Sequence, residues 1–176
     1  MTIHSSHPFE APQSGRNPLR RFRGRLAAPV TAWTSLDARQ LPVGLTVSSV
    51  LVADGTPGEV IGLINPDSAF FDALVPGARF VVNLLGWQHR QLADALADLG
   101  PAPGGVFRRW SWTESDWGPV LADGPGWLAA TLTGEPSPSG RMMLVRGEIV
   151  AVEVRHGSEE PLGYLRGRYT RAGAPS

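Results

Sequence analysis

Short apolar runs separated by turns rich in Gly and Pro make up most of the chain. Such runs are typical of strands, because they alternate in polarity or are too short for a packed helix. The pattern predicts strands over residues 30–35, 43–53, 59–64, 79–85, 127–133, 142–154 and 162–169. Closing these strands into a barrel would remove their exposed edges.

The predicted strand 43–53 differs in chemistry between its two faces. By a period of two, Val47 and Leu51 fall on an apolar face. Thr46 and Ser48 fall on the opposite face, which carries hydroxyl groups and a glycine. A strand of this kind often borders a ligand, although an ordinary half-exposed strand shows the same pattern.

Two helices interrupt the predicted strands. The first spans 65–74 and begins at Asn65-Pro66-Asp67-Ser68, where Pro and Asp favour a helix start. The second spans 88–99, with leucines at helical spacing. Residues 101–125 are predicted to be irregular. Their three tryptophans would cover a pocket mouth, fill a subunit interface or hold the loop against the barrel.

These elements predict one domain over residues 19–170, between a flexible N-terminal tail, 1–18, and a C-terminal tail, 171–176. The predicted fold class is mainly β, a barrel of about seven strands with two or more short inserted helices.

Composition and charge exclude several kinds of chemistry. Lysine and cysteine are absent and all 16 cations are Arg, which rules out Lys Schiff bases, thiolate nucleophiles, disulfides and Cys-ligated metals. The 16 acidic residues bring the formal net charge to zero, which does not indicate a nucleic-acid partner. The basic segment 16–25 is interpreted as a solvated arm, or one packed across a dimer partner, in preference to a nucleic-acid contact.

The sequence predicts neither membrane insertion nor secretion. No apolar run approaches the roughly 18 residues of a membrane-spanning helix. The polar N-terminus lacks the apolar core of a secretory signal. A cytoplasmic location is therefore expected.

Conventional catalytic constellations are missing, and no catalytic residue or metal ligand is assigned. The histidines lack metal-ligand spacing, and neither a nucleophile elbow nor a phosphate-binding Gly-rich loop occurs. This favours a cofactor that carries the chemistry itself. Hydroxyl groups of Thr46, Ser48 and Ser49 suit a phosphorylated planar cofactor, as do the amides and dipole of a helix starting at Ser68. Arg168 is a candidate to balance the phosphate charge.

Several segments resemble the flavin reductase-like family. They are Val30-Thr31-Ala32-Trp33-Thr34, Val43-Gly44-Leu45-Thr46-Val47-Ser48-Ser49, Ile64-Asn65-Pro66-Asp67-Ser68, Phe71-Asp72-Ala73-Leu74, residues 77–85 and residues 161–169. They follow one another in the family's order between Leu19 and Tyr169. The resemblance implies an FMN-binding split barrel with Greek-key topology, usually a homodimer with the flavin near the interface. Reductase members pass hydride from NAD(P)H to the flavin, which then serves a partner oxygenase.

The resemblance also implies which residues hold the flavin, with FMN expected and FAD possible. They are Thr46, Ser48, Ser49, Asn65, Ser68, Asn83, Gly86, Trp87, His89, Arg168 and Tyr169. The hydroxyl residues of the strand would line the flavin, and Asn65 and Ser68 would lie toward its ribityl phosphate. Arg168 and Tyr169 would close the site.

The chain departs from the family pattern at three places. Arg141-Met142 stands where many reductases carry an Asp-His pair near the flavin and nicotinamide. Pro57-Gly58 replaces a double proline, and Phe70 replaces a threonine. The missing His weakens the expectation of NAD(P)H more than that of flavin. Two alternatives therefore remain: a flavin carrier or sensor without turnover, and a deazaflavin- or haem-binding protein on the same barrel.

Overall fold

A computed structural model describes residues 17–156 and 160–171. The predicted C-terminal tail lies outside these residues except for Arg171, and the predicted N-terminal tail except for Asn17 and Pro18. Pro18 already begins a helix, with the Asn17 side chain accepting a hydrogen bond from the Leu19 amide. The described part of the basic segment, from residue 17 onward, therefore begins with a short capped helix.

Strands dominate the described residues, and all their pairings are antiparallel. The strands are β1 Ala28–Pro29, β2 Thr31–Leu36, β3 Pro42–Val47, β4 Val50–Ala53, β5 Glu59–Ile64, β6 Arg79–Leu84, β7 Trp112–Thr113, β8 Val120–Leu121, β9 Gly126–Leu132, β10 Ser137–Ser139, β11 Met142–Val154, β12 Leu162–Leu165 and β13 Arg168–Arg171. The main sheet has the order β3-β2-β6-β9-β11-β5-β4, with β10 added to β11. A small sheet, β1-β12-β13, and the pair β7-β8 flank it.

The helices of the described residues are short. They are α1 Pro18–Arg23, α2 Ala69–Asp72, α3 Arg90–Leu96 and α4 Val106–Arg109, with a 3-10 turn at Trp87–His89 before α3. None of them has the length and apolar character that crossing a membrane requires.

The main sheet curls because its two outermost strands are consecutive in the chain. β3 lies at one edge and β4 at the other, yet only Ser48 and Ser49 connect them. Two linking residues span at most about 10 Å, so the two edges must approach each other. The sheet is thus a barrel split at the Ser48–Ser49 turn.

The concave face of the sheet holds an aromatic core. Trp33 on β2 stacks on Phe80 of β6 with ring centroids 5.2 Å apart, and Phe70 of α2 meets Trp33 edge-on at 6.1 Å. Glycines on facing strands make room for these rings: an added Cβ at Gly62 would lie 2.7 Å from Trp33, and one at Gly147 would lie 2.5 Å from Phe80. All three rings are fully buried.

A second core lies on the convex face, beneath α3. Leu92 and Leu96 of α3 pack with Ala32 of β2, Leu121 of β8 and Leu162 of β12. α3 is thereby fixed over the strands that end at the split, and it joins the main sheet to the small one.

Three predicted elements differ from the structure. The strand 43–53 is interrupted at Ser48–Ser49, so that Val50, and not Leu51, packs against the core of the concave face. The last strand, 162–169, is a hairpin, because Arg166 and Gly167 both have positive φ, as a tight two-residue turn requires. The helix 65–74 is reduced to α2, since its first residues form a capping loop.

Two further differences concern the second half of the chain. The predicted helix 88–99 is a 3-10 turn followed by α3 and ends at Leu96, before Asp98 takes a positive φ. The segment 101–125, predicted to be irregular, contains α4 and the β7-β8 pair. The strand 142–154 matches β11 along its whole length.

Candidate functional site

The Ser48–Ser49 turn lies at the split of the barrel and is held there by β5. The Ser49 hydroxyl donates to the Leu63 carbonyl at 3.0 Å and accepts the Leu63 amide at 3.1 Å. A side chain therefore continues the pairing of β4 with β5 where the backbone ladder has ended. This fixes the position of the turn, and it also occupies the Ser49 hydroxyl.

The Asn65–Ser68 loop follows β5 and borders the same turn, because α2 packs against β3. The Asn65 Oδ1 accepts the Asp67 amide at 3.1 Å. The Ser68 hydroxyl donates to the Asn65 carbonyl at 2.7 Å and caps α2 by accepting the Phe71 amide at 3.2 Å. Both side chains hold the shape of the loop.

Backbone amides are the hydrogen-bond donors that this cleft offers to a ligand. Within the described residues, neither the amides of Ser48 and Ser49 nor the Ser48 hydroxyl bond to a protein acceptor. The amides of Ala69 and Phe70, in the first turn of α2, have no intrahelical partner. A phosphate, which only accepts hydrogen bonds, needs donors of this kind. The cleft therefore fits a phosphate through amides and Ser48.

The helix dipole adds little to this cleft. The prediction assumed a helix as far as Leu74, whereas α2 has four residues. The partial charge at a helix end comes from aligned peptide dipoles, so a single turn supplies only a small field. Individual amide donors replace the dipole as the attractive feature.

Thr46 lies on the convex face and is covered by α3. Its hydroxyl donates to the Ala93 carbonyl at 2.6 Å. One residue further along α3, Asp94 accepts the Tyr169 hydroxyl at 2.7 Å. The structure thus brings Thr46 and Tyr169 together through α3, and both hydroxyl protons are used within the protein.

The Tyr169 phenol is stabilised in its protonated form. Partial burial raises its pKa above the ordinary value, and the hydrogen bond to the Asp94 carboxylate raises it further. The Tyr164 ring packs on Tyr169 at a centroid distance of 5.5 Å. Arg168, the residue before Tyr169, is exposed and forms no ion pair within the described residues.

Gly86, Trp87 and His89 form the entry to α3. The Gly86 amide donates to His89 Nδ1 at 2.9 Å, which places the proton of the neutral imidazole on Nε2. That Nε2 is buried and 3.2 Å from an oxygen of Asp123, although no hydrogen bond of ordinary geometry joins the two. His89 thereby bridges the start of α3 to the loop before β9.

Two arginines lie close to the ring of Trp87. The guanidinium of Arg90 is 3.9 Å from the centroid of its ring and that of Arg171 is 4.7 Å away. The Trp87 amide donates to the Glu160 carbonyl, and Glu160 pairs with Arg171 at 3.1 Å. The Trp87 ring therefore already has cation–π partners within the protein itself.

Asn83 is a structural residue of the core. Its Nδ2 lies 3.2 to 3.3 Å from the Ala32 carbonyl, the Thr34 hydroxyl and the Pro119 carbonyl. Its Oδ1 accepts the Leu121 amide at 2.8 Å. At 1% exposure, the side chain joins β2 and β6 to the loop 119–121 and faces no cleft.

Sequence patterns did not identify several residues that shape this region. Ala93 and Asp94 engage Thr46 and Tyr169, and Arg155 donates to the carbonyls of Leu121, Ala122 and Gly124. The partners are far apart in the chain, and no local pattern marks them. Asp94, an acidic residue within the amphipathic helix α3, is the one local feature of the sequence that could have pointed to these residues.

A separate cavity of about 490 Å³ lies under the Trp-rich segment, residues 107–117, which contains Trp110, Trp112 and Trp117. It is lined by Leu36, Gln40, Pro42, Phe107, Trp110, Trp112, Thr113, Glu114, Ser115, Gly118 and Pro119. The lining residues of β2 and β3 lie at the hairpin end of these strands, whereas the Ser48–Ser49 turn follows the opposite end of β3. None of the predicted cofactor residues lines this cavity.

Two curated relatives cover most of the chain. It is 31% identical over 163 residues to an NADH:riboflavin 5'-phosphate oxidoreductase of Streptomyces pristinaespiralis, covering 92% of this chain and 88% of that protein. It is 28% identical over 153 residues to the reductase component of a 4-nitrophenol 4-monooxygenase/4-nitrocatechol 2-monooxygenase of Rhodococcus opacus, with 85% and 77% covered.

Solved structures share the fold. A flavin reductase domain protein of Arthrobacter sp. FB24 superposes with a TM-score of 0.77 at 23% identity, over 90% of this chain and 96% of that one. An NADH:FAD oxidoreductase of Streptomyces globisporus C-1027, solved with NAD and FAD fragments, gives 0.75 at 22% identity, over 87% and 90%. The predicted split-barrel fold class is thereby confirmed. The model of the flavin reductase like domain matches residues 23–173, and the chain therefore belongs to the flavin reductase-like family.

Proposed function

We propose that this protein is an NAD(P)H-dependent flavin reductase that binds FMN at the split of its barrel. The observation that carries the proposal is the cleft between the Ser48–Ser49 turn and the Asn65–Ser68 loop, with its amides and the Ser48 hydroxyl free to donate. The name of the Streptomyces pristinaespiralis relative supports riboflavin 5'-phosphate as the flavin and NADH as the reductant.

The protein would bind and orient the flavin by its phosphate. The Ser48 hydroxyl and the amides of Ser48 and Ser49 would donate to phosphate oxygens, with those of Ala69 and Phe70 on the other side of the cleft. Ser49, Asn65 and Ser68 would act one step back, since their hydrogen bonds hold the turn and the loop in place. When bound, FMN supplies the hydride-accepting ring, a reaction that needs no acid-base pair from the protein.

The remaining predicted residues would support the site from α3. Thr46 and Tyr169 fix α3 over the split, and the exposed Arg168 is free to meet a negative charge of a bound nucleotide. Arg141-Met142 at the start of β11 supplies no imidazole near the flavin. The protein would then contribute by positioning the flavin ring and the nicotinamide ring and by excluding water.

We further propose that the reduced flavin serves a partner oxygenase. The Rhodococcus opacus relative is named as the reductase component of a nitrophenol monooxygenase, which supports a two-component system. A reductase of this kind draws on the NAD(P)H pool, and this supports a cytoplasmic location.

The protein is also proposed to be a homodimer, with an apolar rim as the interface. The rim consists of Leu84, Val150, Val152 and Val154, all exposed at the end of the barrel. A Cβ added to Gly126 would lie 3.4 Å from the Leu84 side chain and 3.2 Å from the Val154 Cα, so Leu84 and Val154 are close neighbours on either side of Gly126. From Val150 onward β11 pairs only with β9 among the described strands. Such an apolar, half-paired strand is a favourable surface for a second copy.

The proposal is tested by titrating the protein with FMN and following NADH and NADPH oxidation. We expect saturable FMN binding and FMN-dependent oxidation of at least one nucleotide. Ser48→Ala should weaken FMN binding about 10-fold, the effect of one hydrogen bond to a charged group. The matched control, Ser139→Ala on the exposed β10, should bind FMN as the parent does. Absence of both FMN binding and nucleotide oxidation would overturn the proposal.

The second candidate function is a flavin carrier or sensor without turnover, and Arg141-Met142 is the observation that favours it. Tight FMN binding with no measurable oxidation of NADH or NADPH would identify this function. An absorbance spectrum of the purified protein also separates FMN from a deazaflavin or haem, because the three absorb differently.

A further inference from the structure

None of the residues assigned to the proposed flavin site lines the cavity under the Trp-rich segment. β3 runs from Pro42, which lines the cavity, to Val47, which precedes the Ser48–Ser49 turn. Five residue steps along a strand correspond to roughly 17 Å. A ligand in this cavity and the phosphate of a flavin at the turn would therefore occupy opposite ends of β3.

The floor of the cavity is fixed to the main sheet. The Thr34 hydroxyl donates to the Pro119 carbonyl at 2.6 Å. Gly118 has a φ of +128°, and an added Cβ would lie 2.9 Å from the Ser35 Cα, so only glycine fits there. The Ser115 hydroxyl donates to the Gly118 carbonyl at 2.6 Å. A ligand would meet a preformed surface at this side.

The walls are aromatic and are also held in place. Phe107 and Trp112 pack against each other with centroids 5.1 Å apart, and the Trp112 Nε1 points to the Val106 carbonyl at 3.5 Å. Phe107 covers Gly44, where an added Cβ would lie 3.3 Å from its ring. With Trp110, three aromatic side chains line a volume that is sufficient for a small planar molecule.

The charge of the lining is negative. Among the described residues that line the cavity, Glu114 is the single charged one, and none of them is an arginine. Arg109 lies over Trp110 at 4.9 Å but is bonded to the Pro101 carbonyl, outside the lining. Aromatic faces and a carboxylate together attract a planar cation, and the other polar side chains of the lining, those of Gln40, Thr113 and Ser115, are neutral.

We propose that this cavity is a second ligand site, separate from the flavin site, and that it binds a small planar aromatic cation such as a pyridinium. Trp110, Trp112 and Phe107 would contact the ring, and Glu114 would supply the charge. The ligand class follows from the lining and does not rest on the proposed reductase activity.

The test compares two ring compounds that differ by one N-methyl group and by charge, on the FMN-loaded full-length protein. The 1-methylnicotinamide cation and neutral nicotinamide are titrated by calorimetry, with tryptophan fluorescence as a second readout. We expect the cation to bind at least 5-fold more tightly than the neutral compound, the preference typical of a cation at an aromatic face beside a carboxylate. Binding should leave FMN in place.

Substitutions test whether the preference for the cation over neutral nicotinamide arises in the cavity. Glu114→Gln should reduce the preference for the cation to less than 2-fold, whereas Glu135→Gln, an exposed carboxylate outside the cavity, should retain it. Trp112→Leu should weaken the binding of both compounds. The proposal is overturned if neither compound binds, if the two bind equally to the parent, or if FMN and the cation displace each other. The last result would assign the cavity to the flavin site.

Discussion

Hydroxyl and amide side chains near the split of the barrel are held by groups of the protein itself. Thr46, Ser49 and Ser68 each donate to a backbone carbonyl, and Asn83 uses both ends of its amide. At the scale of single residues, a polar side chain on a strand is therefore not by itself a ligand contact. Ser48 is the hydroxyl residue of the Ser48–Ser49 turn that has a proton to offer.

Asn83 provides a test of this distinction. Asn83→Asp places a carboxylate against the Ala32 and Pro119 carbonyls and the Thr34 hydroxyl, where the native Nδ2 donates. The free energy of unfolding at pH 7 should fall by about 3 kcal/mol, because a buried charge loses solvation and faces acceptors. Urea denaturation measures the change. A variant as stable as the parent but unable to bind FMN would instead make Asn83 a ligand contact.

Tyr169 makes stability depend on alkaline pH. Its pKa is raised in the folded state by burial and by the hydrogen bond to Asp94, so the folded protein retains this proton more tightly than the unfolded chain. The stabilisation is present below about pH 10, the ordinary pKa of tyrosine, and is lost as the pH rises above it. The absence of Lys and Cys leaves few other groups that titrate in this window.

Urea denaturation of the parent and of Tyr169→Phe at increasing pH checks this dependence. The parent should lose stability as the pH rises above about 10, and Tyr169→Phe should lose distinctly less. A control, Tyr164→Phe, keeps the bond between Tyr169 and Asp94 and should behave as the parent does. Identical pH profiles of the parent and Tyr169→Phe would contradict the prediction.

Strands β5, β6 and β11 approach closely enough to bury Trp33 and Phe80 only because glycines face the rings. This is an effect at the scale of elements, since each glycine and its ring belong to different strands. The same close approach holds β5 in register, and β5 in turn holds the Ser48–Ser49 turn through Ser49. Packing in the core and the geometry of the cleft are therefore connected.

Gly147→Ala tests the packing of the core. An added methyl would lie 2.5 Å from Phe80, and overpacking of this kind costs roughly 1–3 kcal/mol. We expect a loss of this size in urea denaturation, with weaker FMN binding if β5 shifts. Gly24→Ala is the control, because Gly24 has a helical φ of −65° at the end of α1 and its replacement should change stability little.

At the scale of the whole molecule, the barrel leaves one end apolar. The main core is closed at the α2 side by Phe70, whereas the rim at the far end of β11 remains exposed. The end of β11 also lacks a second neighbouring strand in the described part of the chain. A second copy of the chain that covers the rim, as proposed above, would bury the apolar side chains and cover the end of β11.

Val152→Asp should convert the proposed dimer to a monomer, because it places a charge in the proposed interface. Light scattering after size-exclusion chromatography measures the mass. Val75→Asp is the matched control: Val75 is 61% exposed and Val152 62%, but Val75 lies outside the rim. A monomeric parent protein, or an equal effect of both variants, would refute the interface.

The sequence by itself determined where most of the main-sheet strands lie, the family and the chemistry that is excluded. Alternation of polarity and the order of the segments can be read from the sequence alone. Gly167 was also a local sign of the hairpin in 162–169, which the strand prediction did not use. Absence of Lys and Cys likewise needs no structure. The break at Ser48–Ser49 was not visible locally, because it follows from the placement of β3 and β4 at opposite edges of the sheet.

Only the tertiary structure decided which polar groups remain free. The partner of Thr46 is 47 positions away at Ala93, and that of Thr34 is 85 positions away at Pro119. Hydrogen bonds over such separations depend on how the sheet curls and where α3 lies, which no local pattern encodes. Of the phosphate donors predicted from the sequence, the tertiary structure therefore leaves free the amides at the start of α2 and the Ser48 hydroxyl, to which it adds the amides of Ser48 and Ser49, whereas Thr46 and Ser49 use their hydroxyl protons within the protein.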